Sequence, residues 1–281
     1  MALWAKFQTP FAASLASTVN STPEPPLLRV AHLRTVFALA DGHAQWQGYC
    51  QPQGRLLATF PLVRAATDHF WALLPNAIAP AIAKRLAMFV LRSKLKVSVS
   101  DDLALGFVNA GNIEDTAARL GGRSLTRIPA AQIEAFWRTI SPKMMPISAA
   151  RWLLAGIDAG IGEVQLGAQD LFVPQTIGWD AVGVNYKKGC YPGQEVVARA
   201  HYRGAVKRKP VRLHGNGPLP TPGQELFAAG DDAGNLLCAS ETNTTGGWVA
   251  LASMLPDLRK SGELVLDALG TVRVELIGES A

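Results

Sequence analysis

The 281 residues predict an α+β chain that ends in a small antiparallel β-barrel, on three observations. Strand-like and helix-like stretches mix through the first part of the chain without the βαβ rhythm of a doubly wound sheet. Beyond Lys209, short apolar runs recur between turn sequences, which is the pattern of a compact all-β module. Hydrophobic residues make up 48% and charged residues 17% of the chain, enough for a sizeable core and incompatible with disorder.

From the N-terminus, Leu27 to Arg34 and Ala44 to Tyr49 read as strands. Pro52 and Gly54 then mark a turn into a third strand, Leu56 to Val63. Ile78, Ile82, Leu86, Val90 and Leu91 recur at helical spacing across Ala77 to Arg92, with Pro80 in the first turn, where a missing N–H costs little. Val97 to Ser100 and Leu103 to Val108 are expected as strands. Helices follow over Asn112 to Leu120 and Pro129 to Ile140, the second opened by a proline suited to a helix start. Farther on, Glu225 to Ala229, Leu236 to Ser240, Trp248 to Leu255, Glu263 to Leu266 and Val272 to Ile277 are strands, with turns at Asp231 to Asn235 and at Thr245-Gly246-Gly247. Prolines and glycines crowd the stretch that begins at Pro210, so a boundary is expected between Gly204 and Lys209. This gives an α+β region over residues 1–206, built as one module or two interleaved ones, and a barrel domain over 207–281.

Several functions are excluded early. The most hydrophobic stretch, Ala77 to Leu91, is broken by Lys84 and Arg85, so no membrane span or membrane partner is expected. Cys50, Cys190 and Cys238 are odd in number and far apart; they make neither a disulfide framework nor a zinc site. The first 23 residues lack the form of a secretory signal and read as a frayed terminus, so a cytoplasmic location is expected. The five histidines show no metal-ligand spacing and no metal site is expected, while Gly156, Gly160 and Gly162 make neither GxGxxG nor a P-loop.

Charge is concentrated rather than large. The chain carries 27 basic and 22 acidic side chains, a net +5, yet Lys187, Lys188, Arg199, Arg203, Lys207, Arg208, Lys209 and Arg212 stand against a single acid, Glu195, between Lys187 and Arg212. Anions are the expected partners of such a segment. Its first part reads Lys187-Lys188-Gly189-Cys190-Tyr191-Pro192-Gly193-Gln194-Glu195. Pro192-Gly193 is a turn dipeptide and the residues after it are helix formers. Cys190 is thereby expected just before a helix N-terminus, where the dipole, unused N–H groups and two lysines favour the thiolate, a nucleophile or soft metal ligand. Glu195, Arg199 and Arg203 fall at i, i+4 and i+8 on one stripe. Singly, each feature has a plainer reading: a filler cysteine, solvated lysines, an ordinary surface pair.

The run KKGCYPGQEVVAR, with Phe172-Val173-Pro174-Gln175 upstream and Tyr202-Arg203-Gly204 and Lys207-Arg208 downstream, resembles the signature of the YgfZ family of folate-binding proteins. The likeness is closest from Arg151 to Arg212, moderate at Tyr49-Cys50 and Gly54 to Leu57, and weak in the first 40 residues. It implies aminomethyltransferase-like folate-binding modules ahead of the barrel. It also implies an accessory role in iron–sulfur cluster assembly or repair and, through it, in tRNA modification. By that resemblance Cys190 is the signature thiol, framed by Lys188, Gly193, Gln194 and Glu195, and Cys190, Lys188 and Glu195 carry the chemistry.

Tetrahydrofolate or a derivative is the implied cofactor, with transient iron–sulfur cluster contact. Its pterin needs an aromatic face and a polar edge reader, and its glutamate tail needs cations. Tyr191 and Trp179 are candidate faces, Gln175 and Glu195 candidate edge readers, and Arg199 and Arg203 candidate tail clamps. Expected partners are folate, iron–sulfur enzymes or cluster-assembly proteins, and tRNA through Lys187 to Arg212. The chain departs from the family where a Gly-Gln-x-Thr-x-Asp stretch is usual: Ala31 to Phe37 reads AHLRTVF, without a carboxylate, and Asp41 is the nearest acid. Three functions therefore stand side by side: the accessory factor, a tetrahydrofolate-dependent one-carbon transferase, and an RNA-binding module.

Overall fold

The chain is described from a computed structural model, which defines residues 2–6, 12–17, 34, 36, 39–90, 95–100, 102–108, 118–120, 122–142, 144–188, 190–204, 206–228, 231–242, 246–255, 264–266 and 270–276. They form two compact units. Both mix sheet with helix.

The first unit comprises Met1–Tyr49, Ala58–Trp152 and Lys187–Tyr191. Its strands are β1 (Ala2–Lys6), β2 (Ala12–Ser17), β3 (Ala44–Cys50), β4 (Leu56–Ala66), β5 (His69–Ala72), β6 (Leu95–Ser100), β7 (Leu103–Val108), β8 (Ala118–Leu120), β9 (Arg123–Ile128) and β10 (Met144–Ile147). One five-stranded sheet runs β10-β1-β7-β9-β8 and the other β3-β4-β5-β2-β6. Helix α1 (Ala79–Ala87) starts with a proline in its first turn and buries Ala79, Ile82, Ala83 and Leu86, the stripe that its spacing requires. Helix α2 (Ile133–Ile140) sets Ile133, Phe136, Trp137 and Ile140 against Leu105, Phe107 and Ile128 of the first sheet.

Three expectations for this part change. The first 23 residues are not frayed throughout: β1 lies between β10 and β7, and β2 between β5 and β6. Their small and interrupted apolar residues make weak strands alone, and only pairing on both edges fixes them. Residues 118–120, expected as the end of a helix, form β8, paired antiparallel with β9. The helix expected over 77–92 is shorter, ending at Ala87. Most of the strand expected over 27–34 lies outside the described residues.

The second unit comprises Cys50–Leu57, Leu153–Tyr186 and Pro192–Ala281. Six strands, β11 (Lys209–Asn216), β12 (Glu225–Ala228), β13 (Asp231–Glu241), β14 (Gly247–Met254), β15 (Leu264–Leu266) and β16 (Gly270–Leu276), pair in the order β11-β14-β13-β12-β15-β16. β16 returns to β11 with Val211 opposite Leu276, so the ladder closes on itself. Val211, Leu213, Leu226, Leu236, Trp248, Ala250, Ala252 and Met254 fill the interior in alternation along their strands.

One assignment differs here. Asp231 to Asn235 is strand rather than turn, with Asp231 and Asp232 at the exposed start of β13. Residues 209–216 form β11, where a proline is tolerated next to the strand's first residue. Upstream residues share this unit with the strands. Helix α3 (Ala149–Asp158) supplies Asp158, which pairs with Arg212 of β11 at 2.6 Å. Helix α4 (Trp179–Val182) and helix α5 (Gln194–Arg203) complete the elements.

Candidate functional site

The signature is divided between the units, Lys187–Tyr191 in the first and Pro192 onward in the second. In the first, Cys190 is exposed, whereas Cys50 and Cys238 are buried. Burial pushes the Cys50 thiol up to about 12, so it stays protonated. The Lys188 ammonium stands 5.1 Å from the centre of the buried Tyr191 ring, a cation–π contact that holds lysine and ring on either side of the cysteine in sequence. One face of Tyr191, a candidate pterin platform, is thus covered by a cation.

In the second unit the backbone geometry expected of Pro192-Gly193 is present. Gly193 is the N-cap of α5, with φ of 81°. A Cβ there would lie 2.5 Å from Gly54 Cα and 2.6 Å from Gln51 O. Gly54, with φ of 78°, would in turn direct a Cβ to 2.9 Å from Val196 Cβ. Two glycines 139 positions apart in sequence therefore let the 51–54 turn press against the start of α5. The turn is closed by Gly54 N–H donating to Gln51 O at 2.9 Å and is tied onward by Leu56 N–H to Phe172 O at 2.8 Å. Cys190 itself lies three residues before the N-cap, farther from the helix end than the sequence suggested.

Gln175 sits in a short 3₁₀ turn, Pro174–Ile177, and is 6% exposed. Its Nε2 donates to Val197 O at 2.6 Å and to the Tyr186 hydroxyl at 3.1 Å, while its buried Oε1 meets no hydrogen-bond donor among the described residues. Burial raises the Tyr186 phenol above its ordinary range, and the Gln175 bond works against that. The sequence singled out Gln175 but not Tyr186, which carries no local pattern.

Other nominated residues are placed differently. Trp179 is fully buried, its Nε1 donating to Gly162 O at 3.0 Å and its ring lying against Gly183, so it belongs to the core and offers no face to a ligand. Glu195, Arg199 and Arg203 are exposed, and no ion pair joins them among the described residues. Val197 faces inward, and at 100° per residue the other three lie roughly 160–240° round the helix from it. The cationic stripe and the buried Gln175 amide therefore occupy opposite sides of α5 and do not converge as tail clamp and edge reader of one ligand. Gln194 follows the N-cap in the first turn, half-buried. Gln175, with its unsatisfied buried acceptor, suits the donor edge of a pterin; Trp179, Arg199 and Arg203 do not converge on that acceptor.

Within the stretch lacking a carboxylate, Arg34 bonds to Gln47: Arg34 N–H donates to Gln47 Oε1 at 3.1 Å and Gln47 Nε2 to Arg34 O at 3.4 Å. Asp41 pairs with Arg64 at 2.8 Å and accepts from Thr67 Oγ1 at 3.3 Å, a structural role. Among the described residues no three His, Cys, Asp or Glu side chains gather as a metal set, and no helix is long and apolar enough to cross a membrane.

The chain is 30% identical over 244 residues to the tRNA-modifying protein YgfZ of Edwardsiella ictaluri, an alignment covering 74% of this chain and 73% of that protein. It is 29% identical over 209 residues to the protein of the same name from Vibrio vulnificus, covering 64% of this chain and 61% of that one. An uncharacterized Haemophilus influenzae protein is 27% identical over 175 residues and is likewise covered over 61% of its length, so the chain spans about three fifths of these two relatives. Glycine cleavage system aminomethyltransferase T from Bartonella henselae shares the fold, with a TM-score of 0.72 and 14% identity over 98% of this chain and 84% of that one. No protein-family model matches the chain.

Proposed function

This chain belongs to the YgfZ family, whose named relatives are tRNA-modifying proteins, and from that premise we propose that it is a folate-binding accessory factor for iron–sulfur cluster maintenance and, through it, for tRNA modification in the cytoplasm. The observation that carries the reading is the exposure of Cys190 in the signature, with Lys188 and Tyr191 fixed against each other around it, while the other two cysteines are buried. An exposed thiol can donate to a soft metal such as the iron of a cluster passing between proteins, or attack an electrophile; a buried one can do neither. The cluster is cargo here. Tetrahydrofolate, when bound, supplies a carrier of one-carbon groups, and Gln175 is the residue whose unused acceptor suits its pterin edge. No step of one-carbon transfer is assigned, because the acid nearest the divergent N-terminal stretch, Asp41, is tied to Arg64.

Calorimetric titration of the whole chain with tetrahydrofolate tests the folate half of this reading. Saturable binding is expected, retained in Cys190→Ser. Absence of any binding heat across several temperatures would remove folate from the account.

A further inference from the structure

The Tyr202 side of α5 carries a constellation of three rings whose innermost member, Tyr186, is also the hydrogen-bond partner of Gln175. Tyr186 stacks on His201 with ring centroids 3.8 Å apart and planes inclined by 18°. Tyr202 sets its ring edgewise to both, 5.0 Å from His201 and 6.3 Å from Tyr186. Tyr202 is 73% exposed. A lone exposed aromatic is ordinary; this one is buttressed by two rings that fix its orientation. Tyr186 is held from behind by the buried Gln175 amide.

Cations outnumber acids in the surroundings, with Glu195 one turn before Arg199 on the same stripe and Asp180 close enough to act on Tyr186. Arg199 and Arg203 lie one turn apart on α5 with Tyr202 between them in sequence, and Lys207 follows beyond the Gly204 C-cap. All three are exposed and have no acidic partner among the described residues. Their neighbours Arg208 and Arg212 differ, being paired with Asp232 and Asp158 at 2.6 Å each. Cations left in water around a fixed ring suit a ligand that alternates anionic groups with flat apolar faces.

Resting on the tRNA-related reading above, we propose that this side of α5 docks an unpaired stretch of RNA, with a base stacked on Tyr202 and phosphates met by Arg199, Arg203 and Lys207. A duplex hides its base faces and could use only the cations, whereas a loop offers both.

The test uses fluorescence anisotropy with a labelled tRNA anticodon stem–loop and with the same sequence closed into a duplex, each over a range of salt. The loop should bind more tightly than the duplex. Tyr202→Ala should weaken loop binding roughly 5- to 150-fold, the range for loss of one stacked base, while Tyr202→Phe should keep it. Arg203→Ala should weaken binding and reduce the log–log salt slope by about 0.7. Tetrahydrofolate titration of the same variants, expected unchanged, separates the two readings: loss of folate binding alone leaves this surface standing. Equal affinity for loop and duplex, or an unaltered Kd in a folded Tyr202→Ala protein, would overturn the proposal. So would a Tyr202→Ala variant that binds the loop normally but no longer binds a cluster-assembly protein, an outcome that would give the face to a protein partner.

Discussion

Three cysteines of the same chain meet three environments, and their chemistry follows. Cys190 is exposed, Cys50 is 3% exposed and Cys238 is 1% exposed, so iodoacetamide should modify one thiol in the native protein and three after denaturation, counted by intact mass. Because burial raises the folded-state pKa of Cys50 from 9.0 to about 12, the stability tied to this thiol is fully present below pH 9 and is lost as pH rises from 9 toward 12. The urea midpoint should fall over that window, and Cys50→Ala should make the fall shallower. Tyr186 supplies a second test. Gln175 donates to its hydroxyl and so favours the phenolate; Gln175→Leu should move the tyrosinate absorbance transition to higher pH, and by removing the second donor to Val197 O, which keeps its helix bond, should cost about 1 kcal/mol of stability.

At the scale of elements, α5 depends on the close approach of Gly193 and Gly54. Ala at Gly193 would combine a positive φ with a contact against backbone that cannot turn aside, and should destabilise the protein by roughly 1–3 kcal/mol in urea unfolding. The need for glycine at the signature turn was legible, because Pro-Gly announces its backbone geometry; its partner 139 positions earlier was not, since nothing local in CQPQGRLL says what it touches. The same contrast explains the rest. β3, β4 and β7 declare themselves by apolar runs of β-branched and aromatic residues, and α1 by its period, whereas β1, β2 and β8 exist through their neighbours. The stripe of Glu195, Arg199 and Arg203 was readable, but helix geometry alone could not tell that Gln175 lies on the opposite side, because that depends on which face Val197 buries.

For the whole molecule, the two compact units cut across the expected boundary near residue 206. The strands β11 to β16 share a unit with residues 50–57, 153–186 and 192–206. Composition shifts at residue 209, yet packing does not, since Arg212 reaches Asp158 and the 51–54 turn meets α5 within that unit. A separately expressed 207–281 fragment should therefore lose stabilising contacts and unfold at lower urea than the intact chain, followed by circular dichroism. The most direct measurement of the functional account is restoration of tRNA modification, read by mass spectrometry of nucleosides, in cells lacking their own copy of this protein. Cys50→Ala and Cys238→Ala should restore it, while Cys190→Ser, folded and equally abundant, should not. Restoration to the unsubstituted level by Cys190→Ser would contradict the role given to the exposed thiol.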